Sequence, residues 1–187
     1  MISGDYSQKW NGDDSVFRKI HDDYYLRLSR FATTLIKDRD EAQFIANGAF
    51  IALYKNGPIK PEDKLRNFLY KVTENKCIDH YRKKLKGRIF LNNQKNPEIT
   101  KQQIEAAMDN AERTYKLYKL IQTLPSEIKK AMTLFYIHEL TAEDIAAKEG
   151  KSVATIRVQL QRGRELLKEL IKIDKLLLIV IQIILFM

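Results

Sequence analysis

The chain has 187 residues, which suits one compact domain or two small ones. Its 33 Lys and Arg residues outnumber the 24 Asp and Glu residues and give a net charge of +9 at pH 7, which favours a polyanionic partner such as nucleic acid or an anionic membrane surface. The one cysteine, Cys77, excludes an intramolecular disulfide, and the Cys and His residues lack the spacing of a zinc site. We therefore expect no metal, and we expect no cofactor. Since residues 1–10 also lack the apolar segment of a secretory signal, we expect a cytoplasmic protein.

The sequence predicts an all-α fold. Only 7 Gly and 4 Pro residues interrupt the chain, and apolar residues recur mainly at intervals of three and four. Asp38 can cap the second helix together with Glu41, and Pro61 suits the first turn of the third helix. The predicted helices span about residues 15–36, 39–54, 61–86, 100–123, 127–138, 141–149 and 152–173.

A polar segment divides the predicted helices into two groups. Residues 92–97, Asn-Asn-Gln-Lys-Asn-Pro, favour an exposed connection over a packed element. We therefore expect two small helical domains joined by a linker and followed by an apolar tail. The predicted bounds are 1–90 for the N-terminal domain, 91–112 for the linker, 113–173 for the C-terminal domain and 174–187 for the tail.

From residue 176 onward the tail is apolar except for Gln182. It is shorter than the roughly 20 residues of a membrane-spanning helix, so we expect no stable transmembrane span. The tail is predicted to be a terminal helix packed on the two domains. The alternative is a self-inhibitory clamp or a segment that docks to a partner.

The C-terminal domain contains the pattern of a helix-turn-helix. Thr141 and Ser152 can each cap a helix, and Gly150 allows the left-handed turn between them. The small Ala146 lets the two helices approach, and Ile156 can pack into their angle. The joint spacing of these residues predicts a helix-turn-helix over residues 141–173.

The second helix of this motif has two distinct sides at about 100° per residue. Its core side is predicted to contain Val153, Ile156, Leu160, Gly163 and Leu167. The opposite side carries the recognition row, which consists of Ala154, Arg157, Val158 and Gln161. Arg can bind guanine and Gln can bind adenine, so this row is predicted to contact bases in the major groove. The alternative is that Arg157 and Gln161 only form a solvated outer face of a three-helix bundle. The predicted DNA-binding set is the recognition row with Ser152, Thr155, Arg162 and Arg164.

The third helix carries a second candidate site. Its basic band consists of Lys64, Lys71, Asn75, Arg82 and Lys86, which are seven, four, seven and four residues apart, with Phe68 and Asp79 beside them. Cations bind phosphates, while an amide and an aromatic ring can contact or stack on exposed bases. The band therefore predicts binding to single-stranded DNA. A solvated cationic face and a membrane-surface patch are the alternatives.

From about residue 24 to residue 170 the chain resembles the extracytoplasmic-function (ECF) group of bacterial sigma factors. The first match is similar to the family's promoter-melting and minus-ten-binding helix. Its residues are Leu65-Arg66-Asn67-Phe68-Leu69-Tyr70, Asn75, Ile78-Asp79, Tyr81 and Arg82. The second match is similar to the family's minus-thirty-five-binding helix-turn-helix. Its residues are Leu124-Pro125, Tyr136, Leu140-Thr141, Asp144-Ile145-Ala146, Gly150, Ser152, Thr155-Ile156, Leu160, Arg162 and Arg164. Their order and separation strengthen the resemblance.

The resemblance implies that the chain binds core RNA polymerase and directs promoter-specific transcription initiation. It implies that Asn75 and Arg82 hold the melted non-template strand and that the loop 55–64, which includes Asn56, receives a flipped base. It also implies that residues 88–112 are threaded through the polymerase. An anti-sigma factor is a further candidate partner.

One helix departs from the family pattern. Family members usually carry acidic and glutamine residues in the second helix, where it binds the clamp of the polymerase β′ subunit. Here those positions are Phe44, Asn47 and Gly48. We expect Phe44, Asn47 and Phe50 to contact polymerase, with a clamp contact weakened by the missing carboxylate.

Two other functions fit parts of the sequence. A helix-turn-helix regulator that acts without core polymerase would use only the second domain, and a membrane-surface adaptor would use the basic helix and the tail. An enzyme is not expected and no catalytic residue is assigned, because His21, His80 and His138 are scattered and no glycine-rich phosphate loop occurs.

Overall fold

The computed structural model describes residues 14–57, 59, 61–89 and 99–185, with the side chains of all of these except 84–89 and 173–185. Every regular element among these residues is an α-helix, which confirms the all-α prediction. The helices are α1 (Asp14–Ile36), α2 (Arg39–Asn56), α3 (Glu62–Ile89), α4 (Lys101–Gln122), α5 (Ser126–Tyr136), α6 (Ala142–Glu149) and α7 (Val153–Leu185).

The ends of α2 follow from local chemistry. The Asp38 carboxylate accepts a hydrogen bond from the Glu41 backbone N–H at 3.1 Å, as predicted for the cap. The Glu41 carboxylate itself lies 3.2 Å from Nδ1 of His80 on α3. At the other end Gly57 adopts a φ of 83° and donates its N–H to the Leu53 carbonyl. This positive φ is a conformation that glycine adopts without strain.

The chain divides into two compact units, Met1–Tyr115 and Lys116–Met187. In the first unit α1 packs against α2 and α3, and α2 packs against α3. The largest fully buried side chains of its core are Tyr24, Leu28, Phe31, Leu53, Leu65 and Leu69. Together with the fully buried Ala46 and Ala49 of α2, these residues recur at helical spacing on all three helices, so each helix buries one apolar face in a common core.

The first half of α4 belongs to the first unit, because Ala107 and Ala111 are fully buried in its core. Glu112 accepts a hydrogen bond from the Tyr70 hydroxyl at 2.9 Å, and its carboxylate lies 3.6 Å from Nη1 of Arg27. Burial, followed by the charge of Glu112, raises the pKa of Tyr70, so its phenol remains a donor. The predicted domain bounds stay a prediction. Residues 101–112, predicted both as helix and as linker, are helical, and their buried residues pack in the core of the first unit.

In the second unit α5, α6 and α7 pack against one another. The α5–α7 crossing is close because Gly163 has no side chain. A Cβ atom there would lie 2.6 Å from Sδ of Met132, which is fully buried, and 3.0 Å from Cγ2 of Ile128. Gly163 therefore lies on the core side of α7, as predicted, and the crossing leaves no space for a larger residue.

The last helix is longer than predicted. α7 continues without a break to Leu185, past the expected end near residue 173. The sequence contains no Gly or Pro after Gly163 that would end the helix. None of the described helices is both long enough and apolar enough to span a membrane. The predicted packing of the tail on the two domains lies outside the described side chains.

Candidate nucleic-acid interface

The helix-turn-helix is built by three local devices. The Thr141 hydroxyl accepts from the Asp144 N–H at 3.1 Å while the Asp144 carboxylate accepts from the Thr141 N–H at 3.2 Å, which forms a capping box at α6. Gly150 adopts the left-handed conformation with φ 63° and ψ 31°. The Ser152 hydroxyl then accepts from the Thr155 N–H at 3.0 Å at the start of α7. All three features were predicted, and they fix α6 relative to α7.

The two sides of α7 also agree with the sequence interpretation. Ile156, Leu160, Gly163 and Leu167 are buried, and Val153 is half-buried. All four residues of the recognition row are exposed, and Val158 is 55% exposed although it is apolar. Val158 is therefore accessible to a partner.

Carboxylates hold both polar members of the recognition row. Arg157 donates from Nη2 to Oε1 of Glu143 on α6 at 2.9 Å. Gln161 donates from Nε2 to Oε1 of Glu165 at 3.1 Å. Sequence reasoning missed Glu143 because the pairing depends on how α6 and α7 face each other. The spacing of Gln161 and Glu165, four residues apart, was a detectable signal.

The other predicted DNA-binding residues of this helix are also exposed, but two of them have structural roles. Ser152 and Thr155 form the cap, and their hydroxyl oxygens lie 2.8 Å apart. Arg164 donates from Nε to the Tyr136 hydroxyl at 2.9 Å. Arg162 is exposed. The arrangement therefore presents one guanidinium held against α5 and one directed to solvent.

The basic band of α3 is exposed at Lys64, Lys71, Asn75 and Arg82, while the side chain of Lys86 lies outside the described residues. Asp79 beside it and Asn56 at the end of α2 are exposed too. Phe68 is half-buried and packs against the core of the first unit, so only part of its ring is accessible for base stacking.

Two cations of the basic band have acidic neighbours on α3. Nζ of Lys71 lies 2.7 Å from the Glu74 carboxylate, and Nη1 of Arg82 lies 3.7 Å from the Asp79 carboxylate. The side chains of Lys71 and Arg82 are 63% and 72% exposed. The Glu74 side chain is only 17% exposed and that of Asp79 is 62% exposed, so solvent screens the Arg82–Asp79 pair more strongly. A phosphate can therefore replace the Asp79 carboxylate at little cost.

The exposed face of α2 corrects one predicted contact. Phe44 is 74% exposed and Asn47 is exposed, but Phe50 is only 3% exposed. The Phe50 ring packs edge-on to Phe17 and lies 4.7 Å from the His21 ring, so the prediction that Phe50 contacts polymerase is wrong.

The neighbouring exposed residues are Ile51 and Tyr54, at 57% and 62%. The α2 row therefore consists of Phe44, Asn47, Ile51 and Tyr54, whose intervals of three, four and three residues place them on one side of the helix. A groove of about 310 Å³ between α2 and α3 borders this row, with Phe44, Ile51, Lys76 and Lys83 in its lining. Gly48 permits the approach of Lys76, because a Cβ atom there would lie 2.9 Å from its Cε.

The groups of nucleophilic or metal-binding type do not form a site in the described part of the chain. Cys77 is buried, and burial raises the pKa of its thiol to about 12. No group of three or more His, Cys, Asp or Glu residues among the described side chains can hold a metal ion. The exposed features that can act on a partner are the recognition row, the basic band and the α2 row.

The sequence matches the family models of both domains. The model of Sigma-70 region 2 matches residues 20–86, and that of Sigma-70, region 4 matches residues 114–167. The ECF RNA polymerase sigma factor SigW of Bacillus subtilis is 27% identical over 90% of this chain and 96% of its own length. The chain belongs to the ECF group of RNA polymerase sigma factors. SigM of B. subtilis is 24% identical to this sigma factor over 84% of the chain and 93% of its own length. The RNA polymerase sigma-H factor of Pseudomonas aeruginosa is 26% identical over 82% of this chain and 85% of its own length.

The two matches contain the candidate interfaces of this sigma factor. The basic band and the α2 row lie within the region 2 match, and the recognition row lies within the region 4 match. The first half of α4, which packs on the first unit, falls between the two matched ranges.

Proposed function

We propose that this sigma factor, which directs promoter-specific initiation with core RNA polymerase, contacts the polymerase through the α2 row and the promoter through two DNA contacts. The recognition row binds the duplex upstream element, and the basic band holds the melted non-template strand. The observation that carries the proposal is that one chain contains both an exposed recognition row and an exposed basic band. A regulator that binds only duplex DNA needs the recognition row alone. Because transcription takes place there, the proposal locates the protein in the cytoplasm, where an anti-sigma factor is a candidate partner of the same surfaces.

The test is transcription by core polymerase from a library of promoters, with and without this protein. Promoter-specific transcripts should form only when the protein is present. Duplex binding without any new transcript would favour the helix-turn-helix regulator instead. Binding to anionic liposomes that exceeds binding to DNA would favour the membrane-surface adaptor.

Arg157 should determine the preference for one base pair of the upstream element. A bidentate contact between Arg and guanine contributes about 1–3 kcal/mol of discrimination, so Arg157→Ala should flatten the preference at that position about tenfold. The measurement is the frequency of each base among transcribed members of the promoter library. Arg162→Ala is the control. Arg162 lies outside the recognition row, so we expect it to contact a phosphate, and loss of a phosphate contact weakens binding to all sequences alike. An unchanged base preference in Arg157→Ala would contradict the assignment.

The α2 row should contribute to polymerase affinity. A partner that covers Phe44 and Ile51 removes apolar surface from water, so the variant Phe44→Ser, Ile51→Ser should bind core polymerase about tenfold more weakly. Titration of labelled protein with core polymerase measures the effect. Ile171→Ser changes another exposed apolar residue, 44% exposed in the second unit, and should leave the affinity unaltered. Equal affinity of the double variant and the wild type would exclude this surface.

A further inference from the structure

The contact between Arg157 and Glu143 connects the two helices of the helix-turn-helix. Arg157 donates from Nη2 to Oε1 of Glu143 at 2.9 Å, and the two side chains are 69% and 59% exposed. Exposed ion pairs of this kind contribute little to folding stability. A role in positioning Arg157 explains the contact better than a role in holding α6 to α7.

We propose that Glu143 is a specificity-determining residue of this sigma factor because it orients the Arg157 guanidinium toward the base that Arg157 contacts. The inference rests on the proposed function of the recognition row. A guanidinium has five N–H groups, and the observed hydrogen bond to Glu143 uses one on Nη2. The remaining donors suffice for the two acceptors of guanine, so Arg157 can bind the carboxylate and the base together.

The position of Glu143 is well fixed. It is the second residue of α6, inside the capping box of Thr141 and Asp144. The left-handed Gly150 and the buried Ile145 fix α6 against α7. A carboxylate on this short, fixed helix restricts a long side chain more reliably than one on a loop.

The negative charge of Glu143 has a second effect on Arg157. An arginine without a partner near duplex DNA can bind the closest phosphate, and a phosphate contact carries no sequence information. Glu143 repels phosphates and offers Arg157 another acceptor. It therefore favours the base contact over sequence-independent binding.

The experiment uses full-length sigma factor with core polymerase and duplex promoters randomised in the upstream element. Glu143→Gln should lower the base preference about threefold, the size expected for an exposed ion pair, at the position that Arg157→Ala flattens and at no other position. Affinity for random-sequence duplex should rise. Glu143→Asp, which keeps the carboxylate on a shorter side chain, should restore part of the preference.

Two controls separate positioning from charge and from folding. Glu169→Gln removes the same charge from an exposed position of α7 and should leave every base preference unchanged. In an Arg157→Ala background, Glu143→Gln should have no further effect on preference.

Three results would overturn the inference: an unchanged preference in Glu143→Gln, an equal change at all positions, or the same change in the Arg157→Ala background. If the wild type itself shows no base preference, the proposed function fails. If wild type and Arg157→Ala differ while Glu143→Gln equals wild type, only the role of Glu143 fails.

Discussion

Replacing Lys71 and Arg82 with Ala in one variant should lower transcription from duplex promoters more than about 100-fold, because two lost hydrogen bonds to phosphate cost at least about 3 kcal/mol together. Glu74 and Asp79 would then lie without their cations beside the DNA and add repulsion. The defect should appear in strand opening, which permanganate reactivity of unpaired thymines measures.

The control for this variant is Arg18→Ala with Arg39→Ala, which removes the same charge from exposed positions of α1 and α2. This control should open promoters normally. The Lys71 and Arg82 variant should still bind core polymerase and duplex upstream DNA. Normal opening by that variant would show that the basic band does not hold the melted strand.

Gly163→Val should destabilise the second unit by about 3 kcal/mol, since overpacking a dense core costs about 1–3 kcal/mol and the new Cβ atom alone is too close to Met132. For a domain of this size the loss corresponds to a fall of roughly 10–20 °C in unfolding temperature. Calorimetry of the full chain measures the loss. Ala147→Val, at an exposed position of α6, adds the same branched side chain and should cost less than about 1 kcal/mol.

Met132→Ala tests the cause of this destabilisation. It removes the side chain that the new residue would strike, so the double variant should be more stable than the sum of the two single losses by at least about 1 kcal/mol. Additive losses would show that the clash with Met132 does not limit the crossing of α5 and α7.

The parts of the site that sequence reasoning predicted correctly depend on neighbours in the chain. The caps at Thr141 and Ser152 and the turn at Gly150 each involve contacts within four residues, so residue type and spacing suffice. The faces of α7 follow from helical periodicity once the core side is known. These local signals are independent of the packing between distant helices.

Sequence reasoning failed for residues whose burial depends on contacts with helices distant in sequence. α2 has apolar residues on several sides, so periodicity alone does not distinguish the exposed Phe44 from the buried Phe50. Phe50 is buried because Phe17 and His21 of α1 cover it. The packing of the first half of α4 on the first unit was missed for the same reason, since Tyr70, which donates to Glu112, is 42 residues away in sequence.

The extension of the first unit into α4 has a consequence for protein engineering. In the sequence, the polar segment 92–97 is an obvious junction for exchanging the DNA-binding halves of related sigma factors. A chimera joined there would bring in a foreign α4, and with it foreign residues in place of Ala107, Ala111 and Glu112. Arg27 and Tyr70 would then face side chains that did not evolve with them. A better junction lies after Tyr115, so that the recipient keeps its own complete core.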